Sequence, residues 1–480
     1  TTLRRALVGD NIRATESKVF GVVEQSAEEA GKQYEYETVR SKYLIAADGG
    51  RSVVRHKLNI EFPGRTRPHR MILFDGLVDT ELDCKQFNLV MGSNDHTIGV
   101  IPMTDGRVRC IVDAGEIDPS NPDVGVPTFE DFQKLASETT GSLRFDIKTT
   151  EWLTYYRVNE RIADQYSFKG RIFLAGDAAH VHSPVGGQGM NLGLQDAFNL
   201  TWKIAYVERG LAVKEILDTY GDERKPAAKE VVNLSAGGFG FVFSHTTMGQ
   251  FLRNSVIRVI PYILPYLPPS SSPSRAAMLL IRYHENLLNK RHLNQPAPKD
   301  DFTVGVRARD GAVRPFEASA TAESEVMLQT LWDRPGVFHI VVLGTAQNLT
   351  DKQASVEQNL TEYLAKWRQQ WQLDSTRPSL FEANVIGASS VAAMATNDGD
   401  EEGLKVLQSL ASRPKGDGRL YVDQEDVIHE RYGVSTTNGS GAIVVVRPDA
   451  HIGFRVQGTS RSAWEDVDAY FRSFLLTTCH

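Results

Sequence analysis

The chain has 480 residues, 41% hydrophobic and 24% charged, with 53 Lys and Arg against 60 Asp and Glu for a net charge of −7. That length calls for two or three domains of an ordinary globular protein, and the acidic balance excludes a nucleic-acid binder, which needs a basic face. The most apolar stretch, 256–267, contains Arg258 and two prolines and is too short and too broken to span a bilayer.

Residues 1–60 read as the end of an α/β segment. The stretches 19–23 and 35–39 have the pattern of short strands. Residues 43–47 (YLIAA) read as a buried strand ending at Asp48-Gly49-Gly50, and Ser52 is placed to cap the short helix that follows. From 61 to 157 the pattern is alternating. Residues 98–104 and 107–113 flank Asp105-Gly106, which is a hairpin signal, and put Val108, Cys110 and Val112 on one face and Arg107, Arg109 and Ile111 on the other. Such a sheet is suited to wall a substrate pocket.

Residues 158–225 return to the α/β pattern. Here lies the most informative stretch, 171–202, RIFLAGDAAHVHSPVGGQGMNLGLQDAFNLTW. A short apolar strand runs into Gly176-Asp177, then a loop with Gly186, Gly187 and Gly189, then a helix whose apolar face recurs at Leu194, Ala197, Phe198, Thr201 and Ala205. Asp177 is suited to accept hydrogen bonds from sugar hydroxyls. The glycines let backbone amides approach a flat ring, and the helix N-terminus carries partial positive charge where negative charge could build up.

Residues 226–300 read as helical, interrupted by Pro261, Pro265 and an exposed Ser/Pro loop at 268–273. After about 300 a further unit begins. It has a strand at 337–343, a helix over 355–371 with Trp367 and Trp371 on its core face, a hairpin of 442–446 and 452–456 around Arg447-Pro448-Asp449, and a last helix near 464–474. That order is the order of a thioredoxin-like fold. Cys84, Cys110 and Cys479 form no C-x-x-C pair, so dithiol exchange is excluded there, and a reducing, cytoplasmic setting fits. His180 and His182 have no third ligand in sequence and read as structural rather than metal-binding.

Two motifs stand in order. Asp48-Gly49-Gly50-Arg51-Ser52-Val53-Val54-Arg55 fits D-G-x-x-S-x-x-R after a strand, and Gly176-Asp177 with its glycine loop follows beyond the β-rich stretch. Together with the C-terminal unit, they make the chain resemble the group A FAD-dependent aromatic hydroxylases, in the phenol 2-monooxygenase branch. The resemblance covers essentially the whole chain. It implies an α/β architecture: an FAD-binding Rossmann-like domain with an inserted antiparallel-sheet substrate domain, a helical segment and a C-terminal thioredoxin-like domain. The corresponding boundaries are 1–60, 61–157, 158–225, 226–300 and 301–480.

The resemblance also implies FAD and NADPH as cofactors and O2 and a small aromatic molecule as substrates, with hydroxylation through a flavin C4a-hydroperoxide. It further implies a homodimer, and a role in aromatic catabolism or in tailoring an aromatic natural product. On this likeness Asp177, next to Gly176, holds the ribityl chain. Pro184, Gly186, Gly187, Gln188, Gly189, Met190 and Asn191 lie along the isoalloxazine ring. Asp48, Gly49, Ser52 and Arg55 form the second FAD-contacting motif. Residues 152–161 (WLTYYRVNER) resemble the strand carrying an active-site tyrosine, with Tyr156 the candidate and Tyr155 its rival. The segment 217–226 (LDTYGDERKP) matches a family segment with a structural role.

The G-x-G-x-x-G fingerprint expected on the family's first strand is absent, and Gly237-Gly238-Phe239-Gly240 follows no strand. The chain therefore reads as a member lacking its first βαβ unit, and the 480 residues alone are expected to bind FAD poorly. Two other readings follow: a non-catalytic homologue that has lost flavin, and a flavin oxygenase performing epoxidation or Baeyer–Villiger chemistry.

Overall fold

The computed structural model describes residues 39–92, 96–116, 126–185, 187–244, 246–263, 281–292, 304–316, 325–332, 334–351, 356–371, 379–394, 401–436 and 441–477. The expected strand at 19–23, most of that at 35–39, the Ser/Pro loop at 268–273, Gly186 and Cys479 lie outside the described residues. The chain divides into two compact units. The first comprises 1–166, 171–193 and 228–277, and the second 167–170, 194–227 and 278–480.

In the first unit, β1 (Leu44–Ala46) precedes α1 (Val53–Lys57) and pairs in parallel with a later strand, Ile172–Leu174. Ser52 caps α1, its hydroxyl accepting the Arg55 N–H at 3.0 Å. The expectation that 43–47 is a buried strand needs correction. Ala46 is buried, but Ile45 on the other face is 43% exposed, because no described element covers it.

The long strands β2 (Gly64–Thr80), β3 (Asn88–Met91), β4 (Thr97–Pro102), β5 (Val108–Glu116) and β6 (Phe145–Ile162), with His180–Val181 at the edge, form a six-stranded sheet. Its order places β2 between β5 and β6. The Asp105-Gly106 turn joins β4 to β5 as the sequence predicts, both residues taking positive φ (63° and 75°). Helix α2 (Phe129–Thr140), begun by a capping box at Thr128 and Asp131, covers one face. Phe132 there stacks on Phe74 at 4.6 Å, over a core that includes Ile98, Val100, Cys110 and Val112. The boundary expected after 157 falls inside β6, so the inserted sheet and the following segment share a continuous strand.

Helices α3 (Gly189–Glu208) and α4 (Thr219–Val242) contribute residues to both units, so the boundary expected after 225 falls within α4. Gly237, Gly238 and Gly240 lie inside α4, not in a nucleotide-binding turn. Helix α5 (Thr247–Ile263) continues through Pro261, where a break was expected.

The second unit is built on an eight-stranded sheet. Its centre is β7 (Phe338–Gly344), parallel to β8 (Phe381–Gly387) and antiparallel to β9 (Ala442–Val446), which forms a hairpin with β10 (Ile452–Gln457). The central strands are buried along their whole length, as a sheet covered on both faces requires. Helix α6 (Val356–Trp371) lays Trp367 and Trp371 into the core, where Trp367 meets Phe471 and Trp464 of α7 (Arg461–Arg472).

The same unit holds an ionic cluster without solvent contact. Arg447 grips Glu223 through both terminal nitrogens (2.5 and 2.9 Å) and Asp449 at 2.5 Å. Lys203 donates to Glu223 at 2.8 Å, and Asn289 and Asn199 also donate to the Glu223 carboxylate. Two cations and two anions balance. Burial alone would raise the Glu223 carboxyl, but Arg447 and Lys203 hold it well below the usual carboxylate range. Burial likewise opposes ionisation of Asp449, and Arg447 and His451 keep it low. For Lys203 burial wins over Glu223 and brings the ammonium down to about 8. The 217–226 segment thus carries a packed ion cluster, in line with the structural role expected of it.

Candidate active site

The two sequence motifs meet through Arg55. It is 2% exposed, and its guanidinium donates to the Ala178 carbonyl and to the Gly50 carbonyl, both at 2.8 Å, while lying 3.7 Å from the centre of the Phe62 ring. Arg55, expected among the cofactor contacts, is here a crossbeam joining 48–55 to 176–178. Asp48 is likewise engaged locally, accepting the Val54 N–H at 3.1 Å. Gly49 turns the chain at φ 84°, with open space where a Cβ would stand.

The Gly176-Asp177 turn follows Ile172–Leu174 directly. Gly176 takes φ 58°, and a Cβ there would stand 3.9 Å from the Cα of Gly193, so the turn packs close against the first turns of α3. Asp177 is exposed. The chain then crosses Pro184, Val185 and Gly187 into α3. Gly187, at φ 63°, is exposed, and a Cβ there would meet nothing within 4 Å. Its N–H donates to the Pro184 carbonyl at 3.1 Å, so one of the amides expected to face the ring closes a turn instead. The N–H groups of the first turn of α3, from Gly189 through Asn191, have no partner within the helix and carry its positive end. Gln188 is buried, Met190 is 76% exposed, and Asn191 is half-buried.

His182 lies beneath this turn. Its Nδ1 is 2.7 Å from the Ser183 carbonyl, and its Nε2, without a hydrogen-bond partner, would sit 3.5 Å from a Cβ at Gly189. Burial lowers the ring's basicity, so it is neutral at physiological pH. An exposed glycine turn, an accessible acceptor carboxylate at Asp177, an orphaned acceptor nitrogen at His182 and the N–H groups of a helix N-terminus form a polar set that fits the ribityl and ring end of a flavin.

Beside the loop opens a cavity of about 470 Å³. Pro184, Val185 and Gly187 line one side, the sheet residues Leu89, Gly99, Ile101 and Ile111 another, and Val242 and Phe243 from the end of α4 a third. Every lining side chain among the described residues is apolar. The sheet wall follows from the alternation at 98–113, whereas nothing in the sequence pointed to Val242 and Phe243.

Tyr156 does not line this cavity. Like the lining residues Ile111, Val185 and Val242, it packs against Met71, Val158, Phe239 and Phe243, on the same face of the sheet as Ile111 but two strands along. Tyr155 faces the opposite side of the sheet, against the core of Phe74 and Phe132, with Arg70 over its ring at 4.7 Å. Burial, with the charge of Asp177 adding to it, pushes the Tyr156 phenol up, so it remains protonated.

Residues 8–235 match the family described as FAD binding domain, and residues 281–478 that described as phenol hydroxylase, C-terminal dimerisation domain. Rifampicin monooxygenase of Streptomyces venezuelae is 38% identical over 200 residues, 41% of each chain. Pentachlorophenol 4-monooxygenase of Sphingobium chlorophenolicum is 40% identical over 199 residues, 41% of this chain and 36% of that protein. The chain thus aligns to about two fifths of the length of these curated relatives. Among solved structures, the flavin-dependent monooxygenase PieE in complex with FAD and substrate superposes with a TM-score of 0.62 at 19% identity, over 91% of this chain and 71% of that one. Aklavinone-11 hydroxylase with FAD and aklavinone gives 0.59 at 19%, over 91% and 68%. At these identities the likeness is one of fold.

Proposed function

We propose that this chain, which belongs to the FAD-dependent aromatic hydroxylase family, inserts one oxygen atom of O2 into a phenolic or other aromatic substrate, with FAD as cofactor and NADPH as reductant. The observation that carries the reading is the apolar cavity opening directly beside the Pro184–Gly187 turn. When bound, FAD supplies the redox couple that NADPH reduces and that activates dioxygen.

The chain's own residues do the rest. Asp177 holds the ribityl hydroxyls. Pro184 and Gly187 bring backbone against the ring, which a side chain at 187 would obstruct; Gly186 is expected to join them by family likeness. The N–H groups at Gly189, Met190 and Asn191, unpaired within the helix, favour negative charge on the ring's pyrimidine end together with the helix dipole. Gly176, Asp48, Gly49, Ser52 and Arg55 fix the two turns relative to each other. The apolar walls exclude water from the reacting atoms.

Tyr156, kept protonated by its burial, packs against the same apolar cluster that supports Ile111 and Val185, and it does not take the substrate's proton. By family likeness, 61–157 is the substrate domain and 301–480 the thioredoxin-like unit, through which two chains associate as a homodimer.

The test is NADPH oxidation by the FAD-loaded protein over a panel of phenols under isotopically labelled O2. Faster oxidation with an aromatic and a product carrying one labelled oxygen are expected. NADPH oxidation that no aromatic accelerates, with no labelled product, would remove the proposal.

A further inference from the structure

The wall of the cavity has a gap at its centre. Strands β3, β4 and β5 align Leu89 opposite Gly99 and Gly99 opposite Ile111, so one row crosses the sheet as large, absent, large. Alternation along β4 sends Ile98 and Val100, both fully buried, into the core beneath α2 and leaves Gly99 and Ile101 facing the cavity. Gly99 needs no special backbone conformation. A Cβ there would meet the Phe87 ring at 3.7 Å and the Ile111 carbonyl at 3.9 Å, ordinary contacts on the cavity side. The glycine serves space rather than a turn.

The volume gives that space a scale. A cavity of about 150 Å³ lined by aliphatic and aromatic side chains holds one benzene; this one measures about 470 Å³, roughly three times as much. Its chemistry gives a second limit. Among the described residues the lining offers no cation, and on the same sheet face Arg109, opposite Ile101 in register, already holds Asp75 with two bonds of 2.8 and 2.7 Å. A carboxylate placed in the cavity would lose its hydration without a partner.

We infer that the cavity selects uncharged aromatics of two to three rings over single-ring phenols and aromatic carboxylates, and that the missing side chain at Gly99 gives it the depth to do so. The inference rests on the reading of the cavity as the substrate site. Phe87 (62% exposed) and Leu89 (42%) mark the side from which such a molecule enters.

Equilibrium binding of phenol, naphthol, hydroxybiphenyl and hydroxynaphthoate to the protein, followed by calorimetry, tests it apart from turnover. The two-ring phenols are expected to bind about tenfold or more tighter than phenol, since each buried methylene-sized group in an apolar pocket is worth about tenfold or more. Hydroxynaphthoate is expected to bind more weakly than naphthol by at least as much. Gly99→Leu fills the row and should abolish the preference for naphthol over phenol. Gly99→Ala adds only a methyl in open contact and should reduce that preference while keeping the fold.

Equal binding of phenol and naphthol, or tight binding of hydroxynaphthoate, overturns the size and charge limits. An unchanged preference in folded Gly99→Leu or Gly99→Ala overturns the role of Gly99. A protein that prefers naphthol yet never oxygenates it sinks the hydroxylase reading and leaves this one standing; one that oxygenates phenol but binds no larger ring does the reverse.

Discussion

The cavity of the first unit and the ionic cluster of the second solve opposite problems. Around the cavity, among the described residues, every side chain is apolar and the space is left open. Around Glu223, four charged groups and two asparagines, Asn199 and Asn289, are buried, with the half-buried Asn286 at the edge. An open apolar surface stabilises nothing until a ligand covers it, so it belongs to function. A closed charged cluster costs desolvation that its own bonds must offset, so it belongs to the specification of the fold. Substitutions in the two regions should therefore separate cleanly, one set changing binding with stability intact and the other changing stability.

The largest expected effect is on the cluster. Arg447→Met leaves Glu223 and Asp449 buried without their main counter-charge and should cost about 3–5 kcal/mol of stability, read from denaturant melts. A change below about 1 kcal/mol would mean the cluster is not the closed structure described.

The same groups set the response to acid. Glu223 and Asp449 are both held below their unfolded values, so their contribution is complete above about pH 4.5 and is lost as pH falls through the acidic range. The melting temperature of the native protein should drop below about pH 4.5, and that of Arg447→Met should drop less steeply. Parallel curves for the two would contradict the assignment.

On the other side of the comparison, Asp177→Ala should leave thermal stability unchanged and weaken FAD binding by about ten- to a hundredfold, the value of charge-assisted hydrogen bonds to sugar hydroxyls. Flavin absorbance after gel filtration measures this. The smallest effect is Ser52→Ala, which removes the cap on α1 and should cost about 1 kcal/mol with FAD affinity nearly intact. A larger loss of flavin than of stability would make Ser52 a direct contact.

What could be read from the sequence followed local rules. The Asp105-Gly106 turn fixed the register of β4 and β5, and with it the division between Val108, Cys110 and Val112 in the core and Ile111 in the cavity wall. The i, i+4 pair Trp367 and Trp371 correctly marked a buried helix face. The Gly176-Asp177 turn and its helix stand where the pattern of residues 171–202 placed them, but the helix face expected to be apolar is open, with Leu194 51% and Phe198 67% exposed, and the buried side carries Leu192, Asp196, Asn199 and Lys203 instead.

What could not be read depended on distance along the chain. Val242 and Phe243 complete a cavity whose sheet wall includes Gly99. Arg447, seen in sequence as part of a hairpin turn, bonds Glu223 across 224 residues. Arg55 fits a cofactor motif by type, but its donors are taken by backbone carbonyls that only the fold brings near. The choice between Tyr155 and Tyr156 turned on which face of β6 points to the cavity side, and a tyrosine pair in sequence does not reveal that.

The central claim is that the apolar cavity beside the Pro184–Gly187 turn receives the aromatic substrate next to the flavin. The most direct measurement is titration of the FAD-loaded protein with naphthol while the visible flavin spectrum is recorded, alongside Ile111→Asp, which puts a charge into the wall. The account predicts a saturable spectral perturbation in the native protein and its loss in folded, FAD-loaded Ile111→Asp. An aromatic that binds without disturbing the flavin, or that binds Ile111→Asp equally well, would contradict it.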